Sequence, residues 1–121
     1  MGPHFQKNIM TTTIKADPDY YVLSLEELDN GPVVLSRHPV IAFQVVPYDD
    51  DDLGFTIYET RPITVNGGPP FDKQTLWTPD GMVYEHLCTP CDVETHIDCL
   101  KERHGDKLAF HVSIPLGYRR V

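Results

Sequence analysis

The sequence predicts an α+β domain, a mostly antiparallel β-sheet with one main α-helix over residues 90–104 packed on one face and a C-terminal strand after it. Three observations carry this. Short stretches rich in β-branched and aromatic residues, punctuated by Gly, Pro, Asn and Asp, fill most of residues 20–87. A single run with helical spacing follows them, and a stretch of clean apolar–polar alternation comes last.

Residues 20–25 read as the first strand, ahead of the turn-like Asp29-Asn30-Gly31-Pro32, and residues 33–36 as a short second one. Arg37-His38-Pro39 is then expected to break the chain. Residues 40–46 put Ile41, Phe43 and Val45 on one face and Gln44 on the other, the pattern of a central strand. Residues 54–58 read as its hairpin partner, with residues 63–65 continuing after a break at Arg61-Pro62. Asn66-Gly67-Gly68-Pro69-Pro70 can only be loop, because the two prolines remove successive ladder donors. Residues 75–78 and 82–87 form a compact hairpin about Pro79-Asp80-Gly81, where Asp-Gly is a strong turn signal.

The helix is the best-marked element. Thr89 suits the cap, Pro90 the first helical position, and Gly105 the end. At about 100° per residue, Val93, Ile97, Leu100 and His104 form a narrow stripe that packs on a sheet. Leu108, Phe110, Val112 and Ile114 then alternate with Ala109, His111 and Ser113, as a half-buried strand does.

Length places all of this in one domain, residues 10–121. Residues 1–9 precede a second Met-Thr-Thr-Thr start at Met10 and read as a leader or disordered tail. Hydrophobic residues make up 40% and charged residues 23%, which is globular rather than disordered composition. No apolar stretch approaches the ~20 residues of a membrane-spanning helix, so no membrane association is expected. Three cysteines crowded into residues 88–99 are a poor framework for a secreted fold, and the cytoplasm is the expected compartment. A formal charge of -8 opposes direct nucleic-acid binding and favours a cationic protein surface, or a site on an enzyme that normally holds an anion.

Cys88, Cys91, His96 and Cys99 combine soft thiolates with imidazole, the donor set zinc selects. Over residues 88–99 the pattern resembles a zinc knuckle, with two rather than four residues between His96 and Cys99. A helix starting at Pro90 would separate Cys91 and Cys99 by roughly 12 Å along its axis, so that helix and a four-ligand site exclude one another. Zinc requires the helix to start after Cys91, with Asp92 as its cap. The metal-free reading is preferred and no cofactor is expected, zinc being the alternative.

Asp49, Asp50, Asp51 and Asp52 sit in the predicted hairpin loop, where they read as a solvated tip that discourages aggregation, or as a surface for a basic partner. Trp77, the lone tryptophan, reads as core packing or a binding anchor. No nucleophile elbow, phosphate loop, His-Glu-x-x-His or dinucleotide fingerprint is present. In organisation, short and strand-rich with one late helix, the chain is similar to accessory and host-interaction proteins of phages and other mobile elements. That resemblance implies a non-catalytic inhibitor or sequestering module acting on a host protein or small ligand, as a monomer or homo-oligomer. A zinc-stabilised interaction domain and a small enzyme with an unrecognised site are the alternatives.

Overall fold

The computed structural model describes residues 12–65, 75–85 and 88–119. Along the chain lie β1 (Thr12–Lys15), β2 (Tyr21–Glu27), β3 (Val33–Asp50), β4 (Phe55–Thr64), β5 (Thr75–Trp77), β6 (Met82–Glu85) and β7 (Cys91–Asp92). Then come α1 (Val93–His104), a 3-10 turn (Gly105–Lys107), β8 (Leu108–Phe110) and the short α2 (Leu116–Arg119). The α+β class holds, and among the described strands every pairing is antiparallel except that of β8 with β3. No helix among the described residues is long and apolar enough to cross a membrane. The expected leader over residues 1–9 and the loop over 66–70 lie outside the described residues.

The whole sheet is organised on β3, an 18-residue strand that passes straight through Arg37-His38-Pro39, where a break was expected. Its first half pairs with β2 on one side and with β8 on the other; its second half pairs with β1 and β4. Val40 N–H donates to the Tyr20 carbonyl while Thr64 lies opposite Val40, so β1 and β2 line one side of β3 and β8 and β4 the other. This layout explains the tolerated proline. Arg37 N–H donates to Ser113 Oγ on the β8 side, so the donor that Pro39 lacks would also point there, between the end of β8 and the start of β4. The break expected at Arg61-Pro62 is also absent, because among the described strands β4 pairs with β3 alone, and an edge strand leaves room for a missing donor.

The core forms on one face of the β2–β3–β5–β6 region. Leu23, Leu35, Trp77 and Val83 from the sheet meet Val93, Ile97 and Leu100 from α1, and Ile114 closes one side. Val93, Ile97 and Leu100 of the stripe read from the sequence form the buried face of α1 together with His96, while His104 is half-buried. The helix starts three residues later than expected. Asp92, not Thr89, is the cap: its carboxylate accepts from Thr95 N–H at 2.9 Å and Thr95 Oγ1 at 3.0 Å. Cys91 and Asp92 are held extended because they pair with Val83 and Met82, and that pairing overrides the helix-starting preference of Thr-Pro. Gly105, at φ 56°, ends α1 as expected, its N–H donating to the Lys101 carbonyl.

The C-terminal strand is shorter than the alternation implied. β8 stops at Phe110, and residues 111–114 turn back, leaving Val112 79% exposed while Ile114 is fully buried. The turn is built by His111 Nδ1, which accepts from Ser113 N–H at 3.0 Å and lies 2.9 Å from Ser113 Oγ.

Candidate functional site

Beyond Val45, which faces Thr12, the first described residue of β1, β3 and β4 continue as a ribbon to the turn at residues 51–54. Alternation sorts its side chains by face. Cross-strand pairs Asp50/Phe55, Tyr48/Ile57, Val46/Glu59 and Gln44/Arg61 share one face, and Asp49/Thr56, Pro47/Tyr58 and Val45/Thr60 share the other. Phe55 is 59% and Tyr58 67% exposed, and Tyr48 and Leu53 are exposed beside them. Large apolar side chains on both faces of a narrow ribbon, outside the core that α1 covers, are unusual in a free surface.

The ribbon ends in the four aspartates, which do different jobs. Asp50 Oδ1 accepts from the N–H groups of Asp52 at 2.9 Å and Leu53 at 3.0 Å, closing the turn, and Gly54 takes the positive φ of 75° that the turn requires. Asp49 Oδ1 accepts from Thr56 Oγ1 across the strands. Asp51 and Asp52 are exposed. The tip thus carries four negative charges beside Phe55 and Leu53. Toward the base of the ribbon the charge changes sign: Arg61 lies 3.1 Å from Glu59, and Lys15 in β1 stands opposite Ala42 on the same face as Arg61.

Trp77 lies elsewhere. It is 6% exposed, edge-on to Tyr118 at 5.2 Å and tilted against Tyr21 at 5.9 Å. The Arg37 guanidinium sits 3.8 Å from the Tyr21 ring centre and 5.1 Å from that of Trp77. This stack fixes the edge of the core. Of the exposed aromatic residues, Tyr84 stands on β6, and Tyr48, Phe55 and Tyr58 on the ribbon were missed in the sequence because each lies next to polar or proline residues that mask the alternation.

The four zinc candidates are not brought together. Although α1 does start after Cys91 with Asp92 as its cap, the arrangement zinc would require, no three His, Cys, Asp or Glu side chains among the described residues gather as a metal site. Cys88 and Cys99 are exposed and Cys91 half-buried in β7. Burial, with the neighbouring charges of Asp92, Cys99 and Glu85, pushes the Cys91 thiol up, away from the reactive thiolate. His96 instead turns into the protein, its Nδ1 lying 3.3 Å from Glu85 Oε1. Burial holds its pKa below the ordinary histidine value, with Glu85 pulling the other way and Arg103 adding to the depression.

A serine–histidine group lies on the sheet face opposite the core. Ser24 Oγ is 2.9 Å from Ser36 Oγ and 3.0 Å from His38 Nε2, and Ser36 Oγ is 3.4 Å from the same nitrogen. Ser24 and Ser36 are direct cross-strand partners and His38 is the next residue along on that face. They form a polar ladder that ties β2 to β3. No protein-family model, curated protein or solved structure matches the chain.

Proposed function

We propose that the chain is a non-catalytic protein-binding module that engages its partner through the β3–β4 ribbon. The observation that carries the reading is the exposure of Tyr48, Phe55 and Tyr58 on a ribbon that the helix and core leave uncovered. Aromatic side chains supply large contact area with few rotors to freeze, which is why they anchor interfaces. The aspartate tip adds long-range attraction for a cationic partner and speeds encounter rather than holding the complex. A sequestering or inhibitory role, as the resemblance to phage and mobile-element accessory proteins implies, belongs to the same proposal.

Affinity capture from cells of the native source tests it, with wild type and a Tyr48→Ser, Phe55→Ser, Tyr58→Ser variant used side by side. A protein retained by wild type and lost with the variant supports the reading. Equal capture by both would move the interaction off the ribbon.

A further inference from the structure

We infer that the ribbon face carrying Tyr48, Phe55 and Ile57 pairs with the same face of a second copy, in a two-fold antiparallel arrangement. This deepens the proposed function and rests on the ribbon being the interaction surface. Past Val45 the described strands of this ribbon are β3 and β4.

The order of side chains along the face identifies the partner. From tip to base the rows are Asp50/Phe55, Tyr48/Ile57, Val46/Glu59 and Gln44/Arg61, with Lys15 one row further on. The face is acidic at the tip, holds Tyr48, Ile57 and Val46 beside the Glu59–Arg61 ion pair in the middle, and ends in Lys15 at the base. Such a sequence is complementary to itself when one copy is reversed. A two-fold axis between the Tyr48 and Val46 rows sets Asp50 and Phe55 of each copy on Gln44 and Arg61 of the other, and the Tyr48/Ile57 row on the Val46/Glu59 row. The guanidinium of Arg61 then meets both a carboxylate and an aromatic ring. Glu59 enters the apolar middle already paired with Arg61 of its own chain.

Self-repulsion sets the geometry. Six residue steps from Asp50 to Gln44 span about 20 Å of strand, so reversal places the two aspartate tips at opposite ends of the contact. That exceeds the Debye length of about 8 Å at physiological salt, and the tips do not feel one another strongly. A parallel arrangement would instead set eight aspartates together.

Sedimentation equilibrium at physiological salt, over a rising protein concentration, tests the pairing. Wild type is expected to double its apparent mass. A base-reversed variant, Lys15→Glu with Arg61→Glu, and a tip-reversed variant, Asp49→Lys with Asp51→Lys and Asp52→Lys, are each expected to lose the dimer, because like charges now meet at both ends. Mixing the two restores opposite charges at both ends and is expected to restore the dimer. Melting curves of the variants show that each is folded, and Phe55→Ser serves as a second, uncharged disruption. A monomeric wild type, a dimer unaffected by these changes, or a mixture that stays monomeric overturns the inference. A monomeric wild type with successful ribbon-dependent capture would overturn the self-pairing alone.

Discussion

His96 Nδ1 lies 3.3 Å from Glu85 Oε1, which ties the buried face of α1 to the last residue of β6. His96 is pulled in two directions there. Burial favours its neutral form and Glu85 its charged form, and burial is the larger cause. The folded pKa therefore lies below the unfolded value of about 6.5. The unfolded chain then binds this proton at a higher pH than the folded one does. Its contribution to stability is full above the unfolded pKa and is lost as pH falls toward the folded pKa. Urea unfolding at about pH 7.5 and about pH 5.5 is expected to show wild type weakened at the lower pH, and His96→Gln to lose part of that weakening. Wild type gaining stability at the lower pH would show that the Glu85 attraction dominates.

The helix cap makes a prediction that separates two starts only three residues apart. Asp92 is held below the usual carboxylate range chiefly by the N–H of Thr95, with the Thr95 hydroxyl adding to it. Asp92→Ala is expected to lower the melting temperature, and Thr89→Ala to leave it where it was. Protonation of Asp92 removes part of its advantage only as pH falls below the ordinary carboxylate range, well clear of the His96 window. Equal losses from both substitutions would return the start of α1 to Pro90.

These two residues show what was legible in the sequence. The apolar stripe of α1 follows from spacing alone, and Val93, Ile97 and Leu100 are all buried. The start of α1 does not follow, because the pairing of Cys91 with Val83 is a tertiary contact with no local signature. Proline misled in a similar way. Pro39 and Pro62 break ladders only where a donor is needed, and strand neighbours that the local sequence does not specify decide where that is. The acidic tip was legible as four consecutive aspartates, whereas its aromatic flank became visible only once β3 and β4 were in register. For the cysteines, spacing alone could not reveal that His96 would turn toward Glu85.

Core substitutions test the packing of α1. Ile97→Ala and Leu100→Ala, both nearly inaccessible in the core, are each expected to cost about 2–5 kcal/mol in denaturant unfolding, and Glu102→Ala to be nearly neutral. Ile114→Ala belongs with the costly pair, while Val112→Ala, two residues away and exposed, does not. A costly Val112→Ala would extend β8 through residues 111–114.

Replacing Asp49, Asp50, Asp51 and Asp52 together by asparagine is expected to leave the melting temperature almost unchanged. Asparagine keeps the oxygen that accepts from the N–H groups of Asp52 and Leu53, so the turn at the tip retains its hydrogen bonds. The four charges repel one another, and removing them relieves that repulsion. A large fall in melting temperature would reveal a structural role for the charges, such as holding a cation. Binding should respond where folding does not. If the tip steers a cationic partner, the asparagine variant associates more slowly, whereas dissociation, governed by the aromatic contacts, changes less. Raising the salt should slow wild type toward the rate of the variant, because screening removes the same long-range attraction. Stopped-flow association against the captured partner, for both proteins at low and high salt, checks this. A wild-type on-rate that ignores salt would leave the aspartates as protection against aggregation and nothing more.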